Sequence, residues 1–274
     1  MSARSPAIDR RAARRRFERA AKTYPEFSRL EGEVAGRMLE RLDYIRLEPR
    51  RILDAGSGPP RRGLPKRYPK AMVVALDFSL AMLPRPGFWR WMTGERFASV
   101  CADMHSLPLA DASVDLVWSN MALHWLSDPL SALREFRRVL SPSGLLMFST
   151  LGPDSLKELR AAAGAGRVHA FIDMHDLGDM LLAVGLAAPV MDMELLSFDY
   201  PDADTLLGDL RGSGQTSVRT DRPRGLAGRS FTKRLRRALG DRPRATFEVV
   251  YGHAWQAPPA HPDVKTVRVF KNIS

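Results

Sequence analysis

The sequence predicts an α/β chain built on a doubly wound parallel sheet, and three observations carry the prediction. Short β-type runs at 51–54, 72–76, 97–101, 114–119 and 144–150 alternate with helical or loop segments. The first run, Ile52-Leu53, passes into Asp54-Ala55-Gly56-Ser57-Gly58, where glycine lets the backbone turn sharply and come close to a ligand. The next three runs end at Asp77, Asp103 and Asn120. Four polar groups at successive strand ends suit a nucleotide-type ligand lying across the C-terminal edge of a parallel sheet.

The elements follow in order. Residues 9–47 have helical periodicity, with Phe17, Ala20, Ala21 and Tyr24 on one stretch and Leu30, Val34, Met38, Leu39, Leu42 and Ile45 on the next. Pro25 is expected to separate two helices, and Pro49 precedes the first strand. This makes 1–48 a helical N-terminal arm or lid and 49–255 the main domain. A helix is expected at 129–140, with Asp128-Pro129 as N-cap and N1, and Ser143-Gly144 marks the passage to the fifth strand. Beyond 150, helices are expected at 154–163, 173–184 and 202–211, and strands at 189–200 and 245–255. The basic stretch 211–244, within an insertion over 202–244, carries Gly212, Gly214, Pro223, Gly225 and Gly228 and predicts loops. Residues 256–274, with Pro258, Pro259 and Pro262, predict a flexible tail.

Composition bounds the function. The length of 274 residues suits one large α/β domain with additions. No apolar run approaches the length of a membrane-spanning helix, and nothing resembles the apolar core of a secretory signal. The single cysteine, Cys101, excludes an internal disulfide framework and a zinc site built on several thiolates; no metal is expected. A reducing cytoplasm is the simplest home, or the mitochondrion for a eukaryotic source, although Asp9 and Glu18 argue against reading the Arg-rich start as a transit peptide. The net charge of +11 is concentrated: residues 1–22 hold a net of +6 and residues 211–244 a net of +9, which leaves the centre mildly acidic. Such segments can steer an acidic macromolecule or simply be solvated faces. No zinc-finger, RRM or KH signature points to nucleic acid. A monomer without a membrane partner is expected.

The strand ends carry the chemistry. Backbone N–H groups after Gly56 and Gly58 can meet an anion or carboxylate near a helix N-terminus, or the loop can be a tight turn with no ligand. Asp77, 23 residues after Asp54, stands where a carboxylate accepts two hydrogen bonds from vicinal ribose hydroxyls. The alternative is an Asp capping the helix after Ser79. Asp103 can accept the exocyclic amino group of adenine while Met104 lies against the ring, or it is a turn residue beside a core methionine. Asn120 ends its strand near the sheet centre, where the reacting end of a cofactor would lie.

These motifs resemble those of class I S-adenosylmethionine-dependent methyltransferases. The matching segments are Leu53-Asp-Ala-Gly-Ser-Gly58, Ala75-Leu-Asp-Phe-Ser79, Ala102-Asp-Met-His-Ser-Leu-Pro108 and Phe136-Arg-Arg-Val-Leu-Ser-Pro-Ser-Gly144. NAD-dependent dehydrogenases share the first loop and the acid but not the third and fourth motifs. The resemblance implies a Rossmann-like sheet of seven strands whose last strand is antiparallel. It also implies S-adenosyl-L-methionine as cofactor, held by Asp54, Ala55, Gly56, Gly58, Asp77, Phe78, Asp103, Met104 and Asn120. Outside this block, Phe17-Glu-Arg-Ala-Ala-Lys-Thr-Tyr24, Trp118-Ser-Asn-Met-Ala-Leu-His-Trp125, Leu210-Arg-Gly-Ser-Gly-Gln-Thr216 and Ala245-Thr-Phe-Glu-Val-Val-Tyr251 are similar to the biotin-pathway family that methylates malonyl-acyl carrier protein. A related family is the mitochondrial complex I assembly factor described as an arginine hydroxylase, which shares the pattern Phe171-Ile-Asp-Met-His-Asp-Leu-Gly178. The departures are Pro60, Pro65, Pro84 and Pro86, each of which removes a backbone donor or shortens a helix.

For a malonyl thioester the nucleophile would be a carboxylate already ionised at neutral pH, so alignment and exclusion of water matter more than a strong base. Arg211, Arg160 and His124 are the candidates for a cation near that carboxylate, and Tyr24 could close the site from the arm. Arg160 reads better as a helix-surface residue, and His124-Trp125 can equally be packing under a lid. Acyl carrier protein is acidic as a class, and 211–244 is its expected dock. The other readings are an assembly-factor-type hydroxylase, against which stands the lack of a His/Asp/Glu iron triad at recognisable spacing, and a non-catalytic or nucleic-acid-binding relative.

Overall fold

The computed structural model describes residues 8–59, 63–83, 96–222, 225 and 228–257. The expectations placed on Pro60, Pro84, Pro86 and residues 258–274 lie outside them. The strands are β1 (Arg51–Ala55), β2 (Met72–Asp77), β3 (Phe97–Cys101), β4 (Val114–Ser119), β5 (Leu140–Leu151), β6 (Leu186–Asp199) and β7 (Arg244–Gln256). They form one seven-stranded sheet in the order β3-β2-β1-β4-β5-β7-β6. Pairing is parallel from β3 through β5, and β7 runs antiparallel to both β5 and β6. The chain therefore reverses its winding between β1 and β4, and the crevice at that switch opens at their C-terminal ends.

Helices cover both faces. On one face α3 (Arg29–Arg41) buries Leu30, Val34 and Met38 against Leu116, Trp118, Leu145 and Met147. On the other, α5 (Pro129–Val139) buries Ala132, Leu133, Phe136 and Val139, one helical face by spacing, against Leu53, Val117 and Leu146. Its N-cap is as expected, with the Asp128 carboxylate accepting from Ser131 N–H at 3.2 Å, a cap that contributes about 1 kcal/mol. The α7 helix (Met174–Ala183) adds Leu177 and Leu181 to this face. Complete burial of one side chain such as Phe136 contributes roughly 2–3 kcal/mol.

Four expectations change. Pro25 does lie between two long helices, α1 (Arg10–Ala20) and α3, but inside a short helix of its own that was not expected, α2 (Tyr24–Phe27), in whose first turn a missing N–H costs nothing. The fifth strand starts at Leu140 rather than 144, because a register shift between Val114 and Leu116 absorbs Ser141–Ser143, with Ser143 at φ 63°. The stretch 211–244 is not all loop, since it contains α9 (Arg229–Leu239) with Leu235 buried. And 1–48 divides in function, because α3 belongs to the core while α1 lies over the crevice. The remaining helices are α4 (Gly63–Arg67), which holds Pro65, α6 (Lys157–Ala163) and α8 (Ala203–Gly212).

Candidate active site

The loop after β1 is shaped by backbone conformation. Gly56 and Gly58 have φ of +75° and +58°, a region that penalises side chains other than glycine. A Cβ at Gly56 would lie 2.4 Å from the Ala122 Cβ and 3.1 Å from the Met104 methyl, so only glycine lets this strand end approach the cavity wall. Gly56 and Ser57 donate their N–H groups to Leu76 O at 2.8 and 3.0 Å, which ties the loop to the end of β2.

Asp77 is held by the backbone of the two loops that meet at the end of β2. Its Oδ1 accepts from Ser79 N–H at 2.8 Å, and its Oδ2 from Gly58 N–H at 3.2 Å. It also lines the cavity. Burial pushes its carboxyl up to about 6, opposed by the Ser79 and Gly58 N–H groups, which favour the charged form. Asp103, just past β3, accepts at Oδ1 from His105 N–H at 2.9 Å, lies 2.6 Å from the His105 Nδ1, and pairs through Oδ2 with Arg10. Met104 lies between these acids and Gly56.

At the end of β4, Asn120 donates from Nδ2 to Glu31 O at 3.0 Å and accepts at Oδ1 from Ser149 Oγ at 3.0 Å. Both amide ends are thereby fixed. Met121 follows at φ 54°, and its N–H donates to Ser149 Oγ at 3.0 Å. A long side chain held in the left-handed region costs of order 1 kcal/mol and places Met121 in the cavity wall.

The cavity thus has a floor of strand ends and a roof of helices. Gly56, Gly58, Asp77, Phe78, Asp103, Met104 and Asn120 all line it, so seven residues expected from sequence converge. Asp54 lines the adjoining recess with Ser57, Glu31 and Asn120. Ala55 is not among the described lining residues: it is buried in β1, where its carbonyl accepts from Ser119 Oγ at 3.0 Å. Over this floor lies the helical arm, from which Tyr24 was the side chain expected at the site, and Tyr24 lines the cavity. Arg10, Ala13 and Phe17 of α1 line it, with Trp125 and the buried Glu31, whose carboxylate pairs with the Gln215 amide. Phe17 packs edge-on against Trp125 and Phe78, with ring centroids 5.0 and 5.9 Å away. Its place on a helical face was legible, but nothing local shows that this face meets the ligand crevice.

The candidate cations do not converge. Arg211 is exposed in the last turn of α8 and is not among the described residues lining the cavity. Arg160 donates to the carbonyls of Pro153, Ser155 and His169 at 2.7, 3.1 and 3.4 Å, a brace for the turn ahead of α6. His124 faces a separate cavity with Thr150 and Phe171. Its Nδ1 lies 3.4 Å from Thr150 Oγ1, and its Nε2 is enclosed without a hydrogen-bond partner. Burial, and then His169, lowers its pKa to about 3, so the ring is neutral at working pH. Arg10 is the arginine that does line the main cavity.

The family model described as a methyltransferase domain matches residues 53–148, the segment that supplies the strand-end floor. Over the whole length, the chain is 45% identical to the malonyl-(acyl-carrier protein) O-methyltransferase of Methylovorus sp. strain MP688, covering 96% of this chain and 95% of the relative. The enzyme of the same name from Gallionella capsiferriformans strain ES-2 is 46% identical, with 92% of each chain covered. The chain belongs to this O-methyltransferase family. Solved structures with the same fold include YcgJ of Bacillus, with a TM-score of 0.59 at 17% identity over 82% of this chain and 99% of that one. The Burkholderia thailandensis 1,6-didemethyltoxoflavin-N1-methyltransferase follows at 0.54 and 19%, over 94% of this chain and 93% of that one. At such identities the likeness concerns the fold.

Proposed function

We propose that this protein transfers a methyl group from S-adenosyl-L-methionine to the free carboxylate of malonyl-acyl carrier protein, yielding the methyl ester used in early biotin synthesis. The full-length identity to relatives of that name carries the reading, and the cavity is chemically compatible with the cofactor. The close approach that Gly56 permits suits a backbone cradle for the amino-acid end. Buried Asp77 suits ribose hydroxyls, and Asp103 with Met104 suits adenine.

When bound, S-adenosylmethionine supplies an electrophilic methyl on a sulfonium. The acceptor carboxylate is ionised at neutral pH, so the protein need not remove a proton. Its residues bind, align and exclude water. Asp77, ionised above pH 6, orients the ribose, and the locked Asn120 and Met121 define the sheet-side wall. Phe17, Tyr24 and Trp125 close the roof with apolar surface, which keeps water from the sulfonium. Among the candidates weighed for a cation beside the carboxylate, the neutral His124, the committed Arg160 and the exposed Arg211 bring no positive charge into the cavity.

The reading extends to the carrier itself, an acidic protein that would dock on one of the two basic segments, 1–22 or 211–244. Incubation with S-adenosylmethionine and malonyl-acyl carrier protein, followed by intact-mass measurement, should show the gain of one methyl group on the carrier. No gain from a protein that binds the cofactor would overturn the reading.

A further inference from the structure

The two basic segments, far apart in sequence, meet in space. Asp9 N–H donates to Val218 O at 2.8 Å, and Ile8 forms an antiparallel bridge with Arg219. Thr23 Oγ1 donates to Gly212 O at 3.0 Å, and Phe17 lies against Gly214, where a Cβ would stand 3.2 Å from its ring. The start of the insertion is thus the bed on which α1 rests. Its arginines serve that bed: Arg219 pairs with Asp221 and donates to Ala165 O and Val168 O, and Arg222 lies 3.7 Å from Asp9.

What this leaves toward solvent is the outer face of α1, with Arg11, Arg14, Arg15 and Arg19 exposed. Arg14 has a local partner in Glu18 at 2.8 Å. Crowding is evident behind this face, since burial and then the charges of Arg222 and Arg19 lower the pKa of Arg16. The inner face of the same helix lines the cavity through Arg10, Ala13 and Phe17. A partner on the outer face therefore sits about one helix diameter, ~10 Å, from the site. An open groove of about 430 Å³ runs along α1 between Arg10, Arg11 and Arg14 on one side and Phe78, Cys101 and Asp103 on the other, and it shares Arg10, Phe78 and Asp103 with the cavity.

We propose that the outer face of α1 is the docking surface for the acidic carrier domain that presents the malonyl thioester, with the groove beside it taking the tether. The proposal rests on the malonyl-carrier reading above and narrows it. Of the two basic regions, α1 roofs the reaction site, whereas α9 is engaged elsewhere. In α9, Arg236 pairs with Asp204 at 2.8 Å, Phe231 lies under the Arg167 guanidinium at 4.0 Å, and none of its residues is among those lining the cavity or the groove. Charge complementarity selects an acidic protein surface, and an arm tethered through a phosphodiester would meet three guanidiniums in the groove.

The test compares two substrates and two charge reversals in the full chain. With Arg15→Glu and Arg19→Glu combined, both outside the groove, KM for malonyl-acyl carrier protein should rise about fivefold or more, while KM for malonyl pantetheine stays within about twofold. The salt sensitivity of the carrier KM should fall in the same variant. Lys233→Glu, Arg234→Glu and Arg237→Glu in α9 should change the carrier KM by less than about threefold. Equal effects of the α1 reversal on both substrates, or a larger effect of the α9 set, overturn the docking face. A milder set, Arg15→Gln and Arg19→Gln, decides the matter if the reversal fails to fold. A wild-type protein that methylates neither substrate would instead remove the underlying function.

Discussion

The guanidinium of Arg10, in the first turn of α1, closes on the carboxylate of Asp103 just past β3. Asp103 Oδ1 already serves His105, so Arg10 takes the oxygen that an adenine amino group would need. The arginine is 54% exposed, and such a pair is worth at most about 1 kcal/mol. Arg10→Ala should therefore tighten binding of S-adenosylhomocysteine by up to about fivefold, measured by isothermal titration calorimetry. Weaker binding would assign Arg10 to holding the ligand instead.

The proposed ribose contact of Asp77 predicts a pH threshold for cofactor binding. Its carboxyl is pushed up to about 6 by burial, and ribose hydroxyls donate to the ionised form. Affinity should be flat above pH 7 and fall by up to about tenfold per unit below 6. Asp77→Asn should bind weakly at every pH, with no inflection. A threshold that persists in this variant would exclude Asp77 as its origin.

At Gly56 the constraint is steric. An alanine methyl would overlap the Ala122 Cβ at 2.4 Å on a backbone held at φ +75°. Overpacking of this kind costs about 1–3 kcal/mol. Gly56→Ala should lower the denaturation midpoint and weaken cofactor binding at least about tenfold, because the loop must shift away from the cavity. Unchanged binding would show that the cradle does not need the close approach.

Three buried groups pull the pH dependence of stability in opposite directions. His124 and His169, lowered to about 3 and about 4 chiefly by burial, stay neutral in the fold and gain protons on unfolding. Their contribution is present above the ordinary histidine range and is lost as pH falls. Asp77, raised to about 6, has the opposite sign, since the ionised carboxylate is disfavoured in the fold and stability drops as pH rises from about 4 to 6. Two histidines outweigh one aspartate, so these groups together raise stability by about 1.4 kcal/mol per unit between pH 4 and 6. Urea titrations across that window should show the rise, and His169→Gln should flatten it. A falling profile in the wild type would contradict the burial of the pair.

The strand-end floor was legible because each part is local: an apolar run, then an acid or a glycine, within a few residues. The parallel sheet followed from the same alternation, and the last strand from the family pattern. An arm over the site was legible but its contacts were not, because Phe17 and Arg10 acquire their meaning from Phe78, Asp103 and Trp125, which no spacing rule connects to them. The α9 helix was hidden by the glycines and prolines ahead of it, although Phe231, Leu235 and Leu239 mark its apolar face. Arg211, Arg160 and His124 show the limit of choosing a catalytic cation by residue type: one faces solvent, one braces carbonyls and one is neutral.

The seat of α1 on residues 212–222 also has a consequence for how the protein comes into being. During synthesis the strand-end residues of the floor have all emerged by the end of β5, but the backbone partners of the covering arm, Val218 and Arg219, follow only after β6 and α8. The reaction chamber is therefore sealed late, by a segment made before its floor. We expect Gly214→Val in the full chain, which presses on Phe17 where a Cβ would already stand 3.2 Å from its ring, to leave α1 open to protease, while the wild type protects it. Equal cleavage of the two would show that α1 finds its place without that bed.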